Sequence, residues 1–164
     1  MAQSIVVTGR EQLVMFRLGE QRYAIPLVVT ERVVRAAEVT PLPNAPSIVL
    51  GAINIAGSVL PVLDMRRRLC LAGGGYGPSD QFLIARAGQR IVVLVVDETQ
   101  GVIECPASEV VESAAIAPGL EHIRGVIRRG DGLILIHDLE RFLSLDEAHA
   151  VDEALRQEVP HAYE

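Results

Sequence analysis

The chain has 164 residues, enough for one domain or two small subdomains and too few for a large multidomain enzyme. Its composition, 49% hydrophobic with only 4% aromatic and no Trp, excludes bulk disorder and requires an aliphatic core. The net charge of −6 argues against a nucleic-acid binder with a general basic surface, and all fifteen basic residues are Arg, so mechanisms that need a lysine ammonium (Schiff bases, pyridoxal phosphate attachment, Ser–Lys dyads, a P-loop lysine) are excluded.

In chain order, short β-type runs dominate. Residues 13–18 and 22–26 flank Gly19-Glu20-Gln21 as a hairpin. Residues 28–34 are ambiguous between strand and helical turn, and 33–39 end extended before Pro41, Pro43 and Pro46. Residues 39–63 carry no charge and are long enough to span a bilayer, but the prolines, glycines and asparagines within them favour two short buried strands, 51–55 and 59–63, around Ala56-Gly57-Ser58. Residues 65–71 are read as a helical turn and 72–80 as a flexible loop. A second hairpin, 81–87 with 91–96, follows, then strands at 102–105, 123–128 and 133–137, about nine in all. Residues 97–101 read as a turn. The one convincing helix begins at Ser144 and Glu147, a capping box, carries an apolar stripe of Ala148, Val151, Leu155 and Val159, and is expected to stop at Pro160.

An internal repeat organises these elements. Gly51-Ala52-Ile53, Leu60, Val62, Asp64 and Met65 fall on Gly125-Val126-Ile127, Ile134, Ile136, Asp138 and Leu139 without a gap, at a constant offset of 74 residues. The duplication predicts two similar β-subdomains. The expected division is a flexible tail at 1–9, one two-subdomain unit at 10–158 with the repeat at 49–69 and 123–143, and a flexible tail at 159–164.

Candidate chemistry is sparse. The paired Asp64 and Asp138 lack the Ser/Thr-Gly that follows the aspartates of aspartic proteases, and they read better as strand-end residues capping the next turn. Gly51 and Gly125 are grouped with them as structural turn positions. Asp97 lacks the Lys and βαβ pattern of a receiver domain. The glycines of 73–77 match no phosphate-binding motif, and the four histidines show no metal spacing. His137 occupies the place of Leu63 in the first repeat and reads as partly buried and structural. Cys70 and Cys105 are expected to be free thiols in a cytosolic protein. No cofactor and no metal are indicated. From the residues alone the leading reading is an interaction module. The alternative is a divergent β-barrel hydrolase or ligand-binding protein using Asp64, Asp97 and Asp138, which requires these carboxylates to converge.

The run Phe16-Arg17-Leu18-Gly19 with Tyr23-Ala24-Ile25, the segment Thr40-Pro41-Leu42-Pro43-Asn44-Ala45-Pro46, and above all 51–66 (GAINIAGSVLPVLDMR) resemble the CheW-like family of bacterial chemosensory adaptors over roughly residues 12–156. The resemblance implies an all-β fold of two intertwined five-stranded SH3-like barrels with a C-terminal helix, no enzymatic activity and no cofactor. It also implies a cytoplasmic location at receptor arrays, with no nucleic-acid binding and no direct membrane insertion. The implied partners are the regulatory domain of a CheA-type histidine kinase and the tip of a methyl-accepting chemoreceptor, with self-association in arrays. The implied receptor-contact residues are Thr30, Arg32, Val33, Asn54, Ala56 and Gly57. Two departures stand out: Ala56 replaces the Arg of the family's Asn-Leu-Arg-Gly turn, and Arg32 replaces a Glu. Together they suggest a specialised paralogue, serving a non-flagellar pathway.

Overall fold

The computed structural model describes residues 9–112 and 122–162. Most of the expected tails at 1–9 and 159–164 lie outside the described residues or their described side chains.

Among the described residues eleven strands form two sheets. They are β1 (Arg10–Leu18), β2 (Gln21–Pro26), β3 (Thr30–Arg35), β4 (Val49–Ile55), β5 (Ser58–Leu63), β6 (Gln81–Ala87), β7 (Arg90–Val96), β8 (Glu98–Pro106), β9 (Val111–Glu112), β10 (Ile123–Arg129) and β11 (Gly132–His137). The α-helices among the described residues are α1 (Met65–Arg68) and α2 (Leu145–Ala162). One sheet runs β8-β1-β2-β11-β10-β9 and the other β3-β6-β7-β5-β4. The chain divides into two compact units: the described residues as far as Thr30 with Asp97–Phe142, and Glu31–Val96 with the segment from Leu143 onward. It is thus mostly β, with two subdomains and a C-terminal helix. The first sheet has six strands because the two-residue β9 pairs at its edge through Gly125 and Val126.

Each unit is built around one hairpin whose last strand lies parallel to the second strand of another hairpin. In the first unit β1–β2 joins β10–β11 through the parallel β2–β11 pair; in the second β6–β7 joins β4–β5 through the parallel β5–β7 pair. The intertwining is a strand exchange. After β2 the chain enters β3, which pairs with β6, and after β7 it enters β8, which pairs with β1. Beyond Pro26 and again beyond Pro106 a three-residue 3-10 turn follows, Leu27–Val29 and Ala107–Glu109, with both prolines at ψ 138°. Proline ends a strand and holds φ where such a turn can begin.

The cores are aliphatic. Leu13, Ala24, Cys105, Ile127, Ile134 and Ile136 fill the first unit. Ile53, Val62, Phe82, Ile84, Val93 and Val95 are prominent in the second. Helix α2 packs Ala154 and Leu155 against Leu42 and Ala52 in a smaller cluster of the second unit. Its start is a reciprocal capping box. Ser144 Oγ accepts from the Glu147 N–H at 3.1 Å, and the Glu147 carboxylate accepts from the Ser144 N–H at 3.0 Å. Glu147 also takes Arg68 of α1 at 2.5 Å, and Asp152 takes Arg90 of β7. Burial works to raise the Glu147 pKa, but the Arg68 and Ser144 hydrogen bonds outweigh it and hold the carboxyl below its ordinary value. The Arg90 hydrogen bond does the same for Asp152.

Several expectations are corrected. The helix does not stop at Pro160 but runs to Ala162; the proline forgoes a bond to the carbonyl four residues earlier, but only two residues of helix follow it. Residues 98–101 are not a turn but the start of β8. A bulge opposite Met15 and Phe16 absorbs the extra Gln100, and Gly101 takes φ 99°, so turn-like composition serves a bent strand. Gly51 and Gly125 are not turn residues either. Both sit inside strands, just after a register shift, where another backbone crosses closely. A Cβ on Gly51 would lie 2.2 Å from the Thr40 carbonyl oxygen, and one on Gly125 would lie 2.9 Å from the Val111 oxygen and 2.7 Å from a Val110 methyl.

Gly51→Ala is therefore expected to lower the unfolding free energy by about 3 kcal/mol, the upper range for overpacking. Gly125→Ala should cost less, since a valine methyl can shift and a carbonyl paired with Ala52 cannot. Urea titration followed by circular dichroism measures both; an equal loss, or none at Gly51, contradicts this account.

Candidate functional site

The six residues implied as receptor contacts fall on two segments. Thr30 ends the first unit and donates its hydroxyl to the Pro26 carbonyl at 3.0 Å, closing the 3-10 turn from which β3 departs. Arg32 and Val33 follow on β3, both exposed, beside Glu31, which pairs with Arg86 at 3.5 Å. Asn54, Ala56 and Gly57 form the exposed β4–β5 turn. The Asn54 Oδ1 accepts from the Gly57 N–H at 2.9 Å, fixing the turn. Ala56 takes φ 51° and Gly57 φ 89°, so the turn needs two left-handed residues and one of them is an alanine. That conformation costs a non-glycine residue about 1 kcal/mol.

The register sets these segments at one end of the second sheet. Val62 lies beside Val93 in the parallel β5–β7 pair, so the start of β5 and the β6–β7 turn share an end, and the Glu31–Arg86 ion pair ties the start of β3 to that same end. Arg32, Val33, Asn54, Ala56 and Gly57 therefore belong to one rim of the second unit. Among the described residues Arg32 has no ion-pair partner, which leaves its guanidinium available.

The three aspartates each serve their own segment. Asp64 is buried; its Oδ1 accepts from the Arg67 N–H at 3.2 Å, capping α1, and its Oδ2 accepts from the Gly75 N–H at 2.9 Å. It thereby pins the 72–80 loop, which is further held by the Tyr76 hydroxyl accepting from the Val39 N–H at 2.8 Å. Asp138 accepts from the Glu140 N–H at 3.1 Å, and Asp97 accepts from the Gly19 N–H at 2.8 Å and pairs with Arg17. Asp64 lies in the second unit and the other two in the first, each with its own partners. Among the described residues no group of three His, Cys, Asp or Glu side chains is arranged to hold a metal ion. Cys70 and Cys105 are unpaired, one exposed and one buried. Burial pushes the Cys105 thiol up, with Glu109 adding to it.

His137 is more buried than its sequence suggested. It is fully enclosed among Phe16, Tyr23, His122 and Phe142, with ring centroids 5.1 to 6.4 Å away. Desolvation, with the neighbouring His122 adding to it, lowers its pKa to about 3, and the His122 backbone opposes this only in part. Sequence reasoning also passed over the exposed apolar residues of the first unit, Val28 at 79% and Val102 at 51% accessibility. Alternation along a half-buried strand flags Val102; nothing local flags Val28.

A model described as the CheW-like domain matches residues 12–147. The chain is 26% identical to the chemotaxis protein CheW of Klebsiella aerogenes, over 88% of this chain and 89% of that one. It is 30% identical to protein FrzA of Myxococcus xanthus over 72% of this chain and 74% of the relative. In fold it is similar to the scaffolding protein TtCheW of Thermoanaerobacter tengcongensis, with a TM-score of 0.76 at 22% identity, covering 84% of this chain and 94% of that chain.

Because His137 is neutral in the fold and titrates near 6.5 when unfolded, the unfolded state binds the extra proton as pH falls. Stability is expected to be full above about pH 6.5 and to decline by up to ~1.4 kcal/mol per pH unit towards pH 3. His137→Leu, which copies Leu63 of the other repeat, should flatten that slope. Urea midpoints from pH 7 to pH 4 measure it, and an unchanged slope in the variant refutes the assignment.

Proposed function

The chain belongs to the CheW-like domain family, and from that we propose that it couples the cytoplasmic tip of a chemoreceptor to the regulatory domain of a CheA-type histidine kinase. It is a chemotaxis adaptor and not an enzyme, as its family is. No described helix is long and apolar enough to cross a membrane; we take the working location to be the cytoplasmic side of a receptor array.

The observation that carries the site reading is the rim of the second unit, where the strained Ala56 turn and the unpaired Arg32 lie at one end of a sheet. A receptor tip is a helical hairpin, and a helix docks by an apolar stripe with charges at its border. Ala56 leaves room where the family carries a guanidinium, and Arg32 supplies a positive charge on β3. The charge is moved rather than lost, which supports a receptor matched to this chain. The Ala56 and Arg32 departures are what support the further proposal of a specialised paralogue in a pathway other than flagellar chemotaxis. For the kinase contact we assign the exposed Val28 and Val102 of the first unit, since large apolar side chains left in water favour a protein partner.

Titration of variants against the receptor tip fragment and, separately, the kinase regulatory domain tests both assignments. Arg32→Glu is expected to weaken the receptor about tenfold and leave the kinase unchanged. Ala56→Arg should change receptor affinity without lowering stability. Val102→Glu should weaken the kinase alone. Equal losses for both partners with Arg32→Glu would overturn the division of surfaces.

A further inference from the structure

The first unit contains a surface that neither of those contacts uses. Arg10, Arg17, Arg124 and Arg141 each have a carboxylate partner, at 3.4, 3.4, 2.6 and 3.6 Å. The remaining arginines of the unit, Arg22, Arg128 and Arg129, have none among the described residues, and all three gather at the β10–β11 turn. Arg22 donates to the Arg129 carbonyl at 3.0 Å, and Arg129 donates to the Glu104 carbonyl at 2.6 Å, so both guanidinium groups are held by neutral oxygens. Arg128 is exposed and makes no hydrogen bond among the described residues.

Arg128 and Arg129 border a concavity of about 740 Å³, and Arg22 reaches its edge only through the Arg129 carbonyl. Buried Val126 lines it with Val111 and Leu133, each 51% exposed, and Glu109 is its single carboxylate. Gathering guanidinium groups in excess of carboxylates is unfavourable in the free protein, and half-exposed valine and leucine beside them add a second unfavourable term. One kind of occupant relieves both: a segment that brings carboxylates to the arginines and an apolar side chain to the hollow. A free phosphate relieves only the charge. Nucleic acid is disfavoured by the chain's net charge of −6 and by the absence of an aromatic ring from the lining.

We infer that this hollow, lined by Arg128 and Arg129, is a third docking surface, for an acidic segment of a partner protein that carries apolar side chains between its carboxylates. By the repeat, the β10–β11 turn is the counterpart of the β4–β5 turn: Arg128 answers Asn54, and Gly130 answers Ala56. The same hairpin is thus displayed twice, once with a nearly neutral turn and once with a cationic one. An adaptor with a third surface can join two coupled partners to a further component.

The full-length protein, labelled with nitrogen-15, is titrated with a short blocked peptide alternating glutamate and leucine. The controls are its lysine–leucine and glutamate–glycine analogues and inorganic phosphate. Amide shifts confined to β9, β10 and β11, absent with both control peptides, are expected. Arg128→Glu should weaken the peptide about fivefold, and Leu133→Ser should weaken it without altering the salt dependence. Both side chains are exposed, so both variants keep the fold. Shifts elsewhere, binding indifferent to Arg128→Glu, or equal binding of phosphate alone would overturn the inference. So would self-association in sedimentation that Arg128→Glu abolishes, because the hollow would then belong to a second copy of this chain.

Discussion

Backbone meets backbone at Gly51, and the second unit depends on that crossing. The Thr40 and Ala52 amides and carbonyls exchange two hydrogen bonds, at 2.8 and 2.9 Å, across a gap that admits no side-chain carbon. Once Thr40 is fixed, its neighbour Val39 enters the core, and the Val39 N–H is in place to donate to the Tyr76 hydroxyl oxygen. Tyr76 in turn leans edge-on against Phe82, and the loop it belongs to closes over Asp64, whose carboxylate starts α1. A chain of neutral and charge-assisted hydrogen bonds therefore runs from one glycine to the helix cap. The first unit repeats the crossing at Gly125 with the backbone of Val111, more loosely.

The duplication keeps the scaffold and varies what it carries. Glycine crossing, hairpin, strand-end aspartate and short helical turn recur at the same spacing. The differences lie in the interior, where His137 stands for Leu63, and on the turns. The second unit alone gains α2, clamped through Arg68 and Arg90. Variation confined to turns and one helix is how a rigid β-body acquires different partners without changing its core.

Much of this was legible in the chain. Hairpins around Gly19 and Gly88 announce themselves by turn chemistry between apolar runs, and the Ser144–Glu147 cap by its spacing. Asp64 and Asp138 were readable as caps because the repeat aligned them. What escaped was decided by tertiary structure. The polar opening of β8 became a strand because β1 offered it a pairing edge and a bulge. The two-residue β9 exists only because Gly125 lets a backbone approach. The full burial of His137 came from rings distant in sequence. The rim at Arg32 and Ala56 was reached through family resemblance rather than local chemistry, since an exposed arginine and a tight turn are ordinary features of any surface. The arginines of the β10–β11 turn stand out only once every other cation of the unit is seen to be neutralised.

The strand exchange has a consequence for synthesis. The sheet of the second unit is encoded without interruption from β3 to β7, whereas the first unit needs β1 and β2 from before that stretch and β8 to β11 from after it. As the chain leaves the ribosome from its N-terminus, the second sheet has all its strands while β1 and β2 still lack their neighbours. The hairpin made first is thus completed last, and Leu13 and Ala24 stay uncovered until β11 emerges with Ile134 and Ile136. A pause in translation between residues 96 and 132 would hold the protein half-built at its most adhesive stage, and the growing chain is then a natural client for a nascent-chain chaperone.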